Sequence, residues 1–202
     1  GKVNKKIQKL EEEERVKEEA ADNRSVSEKF ADCLILGDSI TQGLYEYGVL
    51  DEANVQAGRG TEVSEVSSKK IEEHIKKAKE MKPEVLFLAY GMNDIEAQNG
   101  NASGFVKAYK NVIEDLKESL PDTKIYVNCI LPAAQSAIET RPLFANVPKF
   151  NQKLKKLCKK EKVTFIDNTD LVKQEYYADD GIHMSPSYYT KWVDHMAEAA
   201  GL

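Results

Sequence analysis

Five short strand candidates, most of them apolar runs and each followed by a helix or helical segment, constrain this 202-residue chain more than anything else in it. They cover residues 33–36, 54–57, 85–90, 124–131 and 163–166. A short apolar run that does not alternate, bounded by turn residues, reads as a strand buried on both faces. Strands of that kind separated by helices predict a parallel sheet with right-handed crossovers. Helices are expected over 41–50, 61–82, 105–120 and 149–160, with a last one opening at Ser185-Pro186. The helix over 61–82 would turn Val63, Val66, Ile71, Ile75 and Ala78 inward, while residues 91–104 read as a polar loop. The expected architecture is a single three-layer α/β/α domain.

Composition narrows the class further. With 41% hydrophobic and 31% charged residues, the chain can bury the core of one domain. No window approaches the ~18 apolar residues of a membrane span. A net charge of -5 argues against nucleic acid as the main partner, because phosphate binding needs a basic face. The three cysteines, Cys33, Cys129 and Cys158, have no C-x-x-C spacing and read as small buried hydrophobes. Cys33 and Cys129 fall two strands apart, ~9.6 Å, too far for a disulfide.

Residues 1–30 depart from this pattern. Lys and Glu dominate them, and the apolar stripe of Val3, Ile7 and Leu10 fades after one stretch. They read as a charged helical stalk, a weak coiled coil or a solvated helix, ahead of a domain over 31–202. A stalk suits a tethered protein, and a start at Gly rather than Met leaves room for an upstream signal or anchor. The expected location is therefore the outside or surface of a bacterium, with the cytoplasm as the alternative.

The chemistry gathers at the ends of the strands. In Leu34-Ile35-Leu36-Gly37-Asp38-Ser39-Ile40-Thr41 an apolar run ends in a serine at the rim where open α/β sheets place their ligand sites. A serine there can also be a simple helix N-cap. Gly58 follows the second strand, Asn93 the third, and Asp180 and His183 come after the fifth. A serine becomes nucleophilic when a base takes its proton, and His suits that role near neutral pH. Asp180, three residues before His183, is within reach of its Nδ1. The backbone N–H groups of Ser39 and Gly58 and the Asn93 amide would serve as oxyanion donors. Gly60 can stand in for Gly58, which is preferred because it directly follows the strand. His74 and His195 read as structural. No H-E-x-x-H or paired C-x-x-C is present, and Gly58-Arg59-Gly60 lacks the rest of a dinucleotide fingerprint.

Four blocks, Gly37-Asp38-Ser39-Ile40, the glycine of Ala57-Gly58-Arg59, Gly91-Met92-Asn93-Asp94 and Asp180-Gly181-Ile182-His183, together resemble the signature of the SGNH (GDSL-like) hydrolase superfamily. They stand in that family's order, and the resemblance spans about 31–202. It implies a flavodoxin-like sheet of order 2-1-3-4-5 and esterase chemistry without metal or cofactor. It implies Ser39 as nucleophile, His183 as base, Asp180 as its partner, and Gly58 and Asn93 as oxyanion donors. Ile40 departs from the family's leucine.

Short loops near the site and the absence of a long insertion favour a short acyl group, such as acetyl, on a larger polar carrier. Family members that deacetylate carbohydrate or cell-wall polymers make a small-molecule or glycan ester the expected substrate. Arg59 and Arg141, two of four arginines, could bind an anionic carrier or make ordinary surface ion pairs. Tyr45 and Tyr47 could line a sugar cleft or pack into the core. Two further readings use the same residues: a transacylase, and a non-catalytic module that binds an anion or glycan.

Overall fold

In the computed structural model, which describes residues 2–202, the five strand candidates form β1 (Cys33–Gly37), β2 (Val55–Ala57), β3 (Val85–Ala89), β4 (Lys124–Asn128) and β5 (Thr164–Ile166). All neighbouring pairs are parallel, and the order across the sheet is β2-β1-β3-β4-β5. Gly37 is in register with Ala57 on one side and Ala89 on the other, so β1, β2 and β3 end level with one another. That register sets the Ser39, Gly58 and Asn93 segments side by side on one rim.

Side chains alternate across the sheet with a period of two. Leu34, Leu36, Leu86, Leu88, Ile125 and Val127 face one core. It is covered by α4 (Lys70–Met81), α6 (Ala102–Ser119) and α8 (Val147–Glu161), where Phe105 stacks on Phe150 at 5.1 Å. Cys33, Ile35, Val85 and Phe87 face the other core, covered by α3 (Ser39–Glu46) and α9 (Pro186–Ala200) through Leu44, Tyr188 and Trp192. Burial on both faces is the reason β1 and β3 read as uninterrupted apolar runs, each buried Leu or Phe contributing about 1.5–3 kcal/mol. Cys33, Cys129 and Cys158 are buried and free.

The chain ahead of the sheet divides in two. Along α1 (Lys2–Ala21) the side chains of residues 2–17 are exposed, Val3 and Leu10 included. After the short α2 (Val26–Lys29), Phe30 is in the core at 1% exposure. The Asn54 amide donates to the carbonyls of Phe30, Ala31 and Cys33 at 3.0, 3.2 and 3.0 Å. Packing thus begins before residue 31. None of the described helices is long and apolar enough to cross a membrane.

Three local expectations are corrected. The helix expected over 61–82 starts only at Lys70; residues 61–69 are irregular, and Val66 is 60% exposed rather than inward. The stretch read as a polar loop holds α5 (Met92–Ala97), and α7 (Gln135–Thr140) precedes Arg141. Finally, β4 stops at Asn128, because beyond it the Asn151 side chain takes over the Ile130 backbone, accepting from its N–H at 2.8 Å and donating to its carbonyl at 2.7 Å.

Candidate active site

The nucleophile candidate owes its position to two neighbours. A Cβ on Gly37 would lie 1.9 Å from Thr41 Oγ1, so only glycine lets the first turn of α3 fold back so tightly on the strand end. Asp38, not Ser39, is the helix cap: its carboxylate accepts from the Ile40 N–H at 3.0 Å. Ser39 is therefore the first helical residue. Its hydroxyl is free for other chemistry, and its N–H is one of the donors that a helix leaves unpaired at its start.

Ser39 Oγ stands 2.8 Å from His183 Nε2, although the two residues are 144 apart in sequence. On the far side of the ring, Nδ1 meets Asp180 Oδ2 at 2.5 Å. An ionised carboxylate only accepts, so the ring proton sits on Nδ1 and Nε2 is left to accept the serine proton. Asp180 Oδ1 also accepts the N–H groups of Ile182 and His183, both at 2.9 Å. Partial burial alone would raise the Asp180 carboxyl, but these N–H bonds and the His183 ring outweigh it and hold the pKa below the usual carboxylate value.

The loop carrying Asp180 and His183 is closed by a bridge between Tyr177 and Met184 and by the Ala178 N–H donating to the His183 carbonyl at 2.8 Å. Gly181 sits at its tip with φ +68, where the Ala134 N–H donates to the Gly181 carbonyl at 2.8 Å. A Cβ there would come within 3.0–3.2 Å of Ala134, Ala137 and Ser136. The loop after β4 is thus the wall on which the His183 loop rests.

Sequence and geometry now point the same way. The chain matches the family described as GDSL-like lipase/acylhydrolase over residues 35–191, a span that holds Ser39, Asp180 and His183. It belongs to this esterase family. Its fold is similar to that of a GDSL-like lipase from Bacteroides thetaiotaomicron (TM-score 0.66, 16% identity, 94% of this chain and 96% of that chain). It is also similar to a carbohydrate esterase family 3 protein from Talaromyces cellulolyticus (TM-score 0.64, 16% identity, 83% and 95% covered). A third similar structure is a catalytic mutant of an acetylxylan esterase from Geobacillus stearothermophilus (TM-score 0.61, 13% identity, 84% and 94% covered). No curated protein matches the chain.

Within this GDSL-like site the two glycines considered as oxyanion donors differ in how their N–H groups are engaged. The Gly58 N–H donates to the Gly37 carbonyl at 3.2 Å, continuing the β1–β2 ladder past the strand end, so it is already engaged. Gly60, at φ +75, has an N–H with no partner among the described residues. A residue directly after a strand can prolong its ladder, as Gly58 does here. Asn93, in the first turn of α5, donates one amide hydrogen to the Thr61 carbonyl at 3.1 Å and keeps the second.

Asp94, unassigned in the sequence reading, anchors this side of the site. Fully buried, it accepts from Ser64 N–H at 2.9 Å, Val63 N–H at 3.3 Å and the Ser64 hydroxyl. Burial pushes its carboxyl up to about 6 against the pull of those bonds. The same bonds draw residues 61–64 out of a helix and against the end of β3. The sequence signal was present in the Asn93-Asp94 pair: one residue facing the site, the next pinning the loop beside it.

The remaining candidates sort themselves by contact. Arg141 is paired with Glu96 and lies over the Phe144 ring at 4.8 Å, which fits the ion-pair reading. Tyr45 packs against the core on the α9 side. Tyr47 is 48% exposed, with its ring 5.2 Å from Tyr189. Arg59 is exposed and in no ion pair among the described residues. His74 is buried, its Nδ1 2.6 Å from the Tyr90 hydroxyl, and desolvation pushes its pKa down to about 4. His195 reaches Asn168 Oδ1 at 2.8 Å. Both are structurally employed.

Proposed function

We propose that this protein is a serine esterase that removes short acyl groups, acetyl foremost, from a carbohydrate or cell-wall polymer. The observation that carries the reading is the unbroken line from Ser39 Oγ through both ring nitrogens of His183 to Asp180 Oδ2. Ser39 attacks the ester carbonyl as His183 Nε2 takes its proton. The tetrahedral oxyanion is met by the Ser39 and Gly60 N–H groups and the free amide hydrogen of Asn93. His183 then protonates the leaving alcohol, and the acyl group stays on Ser39. Water, activated by the same nitrogen, releases the acid and restores the serine. Asp180 keeps Nδ1 protonated throughout, which holds the ring in the productive tautomer.

Acetyl is favoured because, among the described residues, α3 follows β1 and α5 follows β3 with no more than two residues between, leaving no insertion at those strand ends to cradle a long chain. Exposed Arg59, beside the oxyanion loop, is the candidate contact to a polar carrier. Rates on p-nitrophenyl acetate, butyrate and octanoate, with Ser39→Ala as control, test the reading. It predicts activity that falls with chain length and is lost in the variant. Full activity in Ser39→Ala, or a preference for octanoate, would contradict it.

A further inference from the structure

One face of this acidic protein is strongly basic. Of the 15 residues of α8, six are lysines and one is a glutamate, in a chain of net charge -5. Between α6 and α8 runs a cleft of about 480 Å³ lined by Lys107, Lys110, Lys153, Lys156 and Lys160, with Val106 and Leu157 in its floor. Lys110 pairs with Glu114 at 3.9 Å, and Glu161 at the cleft's far end is 3.9 Å from Lys117. Among the described residues, Lys107, Lys153, Lys156 and Lys160 have no carboxylate partner. These four ammonium groups line one cleft without a carboxylate to offset their mutual repulsion.

One end of the cleft lies at Ser103, in the first turn of α6. Each of these helices returns the chain from one parallel strand to the next, so each starts at the rim where the strands end. Near that end Lys153 Nζ donates to Ser103 Oγ at 3.1 Å, bridging the first turn of α6 to α8. From Lys153 to Lys160 the lysines descend α8 for about 10 Å. Basic residues continue around the opposite end of the sheet, where Lys117, Lys124 and Lys162 border a second cleft. Lysine heads are point charges without the fork of arginine, so they suit repeated anionic groups rather than one shaped ligand.

We propose that the α6–α8 cleft binds an anionic glycan chain, with carboxylate or phosphate groups repeated along it, and that this chain carries the ester cleaved at Ser39. A shallow groove between two helices, with Val106 and Leu157 between its lysines, fits a linear chain of sugar rings better than a flat bilayer. The proposal names the carrier for the esterase reading and rests on it.

The test is fluorescence anisotropy with labelled polygalacturonate and labelled inorganic polyphosphate, on wild type and the triple variant Lys153→Gln/Lys156→Gln/Lys160→Gln. Lys76→Gln/Lys77→Gln/Lys191→Gln is the control with the same change in net charge. Wild type and control should bind at least one polymer, about tenfold or more tighter than the cleft variant, and lose it as salt rises from about 50 to about 200 mM. Which polymer is bound assigns carboxylate or phosphate. Equal binding by the cleft variant, equal loss in the control, no binding to either polymer, or tighter binding to phosphatidylglycerol vesicles or duplex DNA would each overturn the proposal. All three proteins should hydrolyse p-nitrophenyl acetate alike; inactivity in all of them would count against the esterase reading and leave the binding result to judge the cleft.

Discussion

The Asn93 side-chain amide donates to the Thr61 carbonyl at 3.1 Å, joining the residue after β3 to the loop after β2. That bond fixes the amide plane, so its second hydrogen has one direction in which to point. Asn93→Ala removes a proposed oxyanion donor that acts mainly in the transition state. The expected loss is about 10²–10³ in kcat with KM nearly unchanged. Steady-state kinetics on p-nitrophenyl acetate, with Tm measured alongside, check it.

Asp180→Asn keeps the shape of the side chain but takes away the acceptor that holds the proton on His183 Nδ1. The fold should survive, because half of the Asp180 side chain is exposed and its role is local. Turnover should fall by about 10³–10⁴. Kinetics at saturating ester, with a thermal melt to establish folding, decide the matter.

Gly181→Ala places a side chain at φ +68 against Ala134, Ala137 and Ser136. The combined strain and overpacking should cost about 1–3 kcal/mol. Because the same loop holds Asp180 and His183, kcat should fall with stability. Denaturant unfolding and ester kinetics on one preparation read both effects.

Asp38 has a pH signature. Burial pushes its carboxyl up to about 7, above the 3.8 of an ordinary aspartate. Between those two values the folded state holds a proton that the unfolded chain has released, so stability attributable to this group falls as pH rises and levels off above about 7. Asp38→Asn retains a capping acceptor for the Ile40 N–H and does not ionise. The variant should exceed wild type in stability at pH 8, by on the order of a few kcal/mol at most, with the gap closing toward pH 4. Urea unfolding across that range measures it.

Deleting residues 2–21 should leave Tm and esterase rate within error of the full chain. The described side chains of α1, residues 2–17, are exposed, whereas Val26, Phe30 and the Asn54 bonds tie down the chain from residue 26 onward. Differential scanning calorimetry on both proteins provides the comparison.

Much of this architecture was legible because burial on both faces writes itself into the chain as runs such as Leu34-Ile35-Leu36 and Val85-Leu86-Phe87-Leu88. The meeting of Ser39 with His183 was also legible, since parallel strands bring their ends to one rim whatever the distance in sequence. What failed to show was set by tertiary hydrogen bonds. Val63 and Val66 have helical spacing, yet the Asp94 carboxylate, 30 residues away, captures the N–H groups of Val63 and Ser64 and breaks the helix. The Gly58 N–H likewise looked free until the β1–β2 register showed the Gly37 carbonyl taking it.

The central claim is that Ser39 is activated by His183. Labelling with a fluorophosphonate, followed by peptide mapping, tests it most directly. The account predicts one label, on Ser39, at a rate that collapses in His183→Ala and vanishes in Ser39→Ala. A label on any other residue, or undiminished labelling of Ser39 without His183, would contradict it.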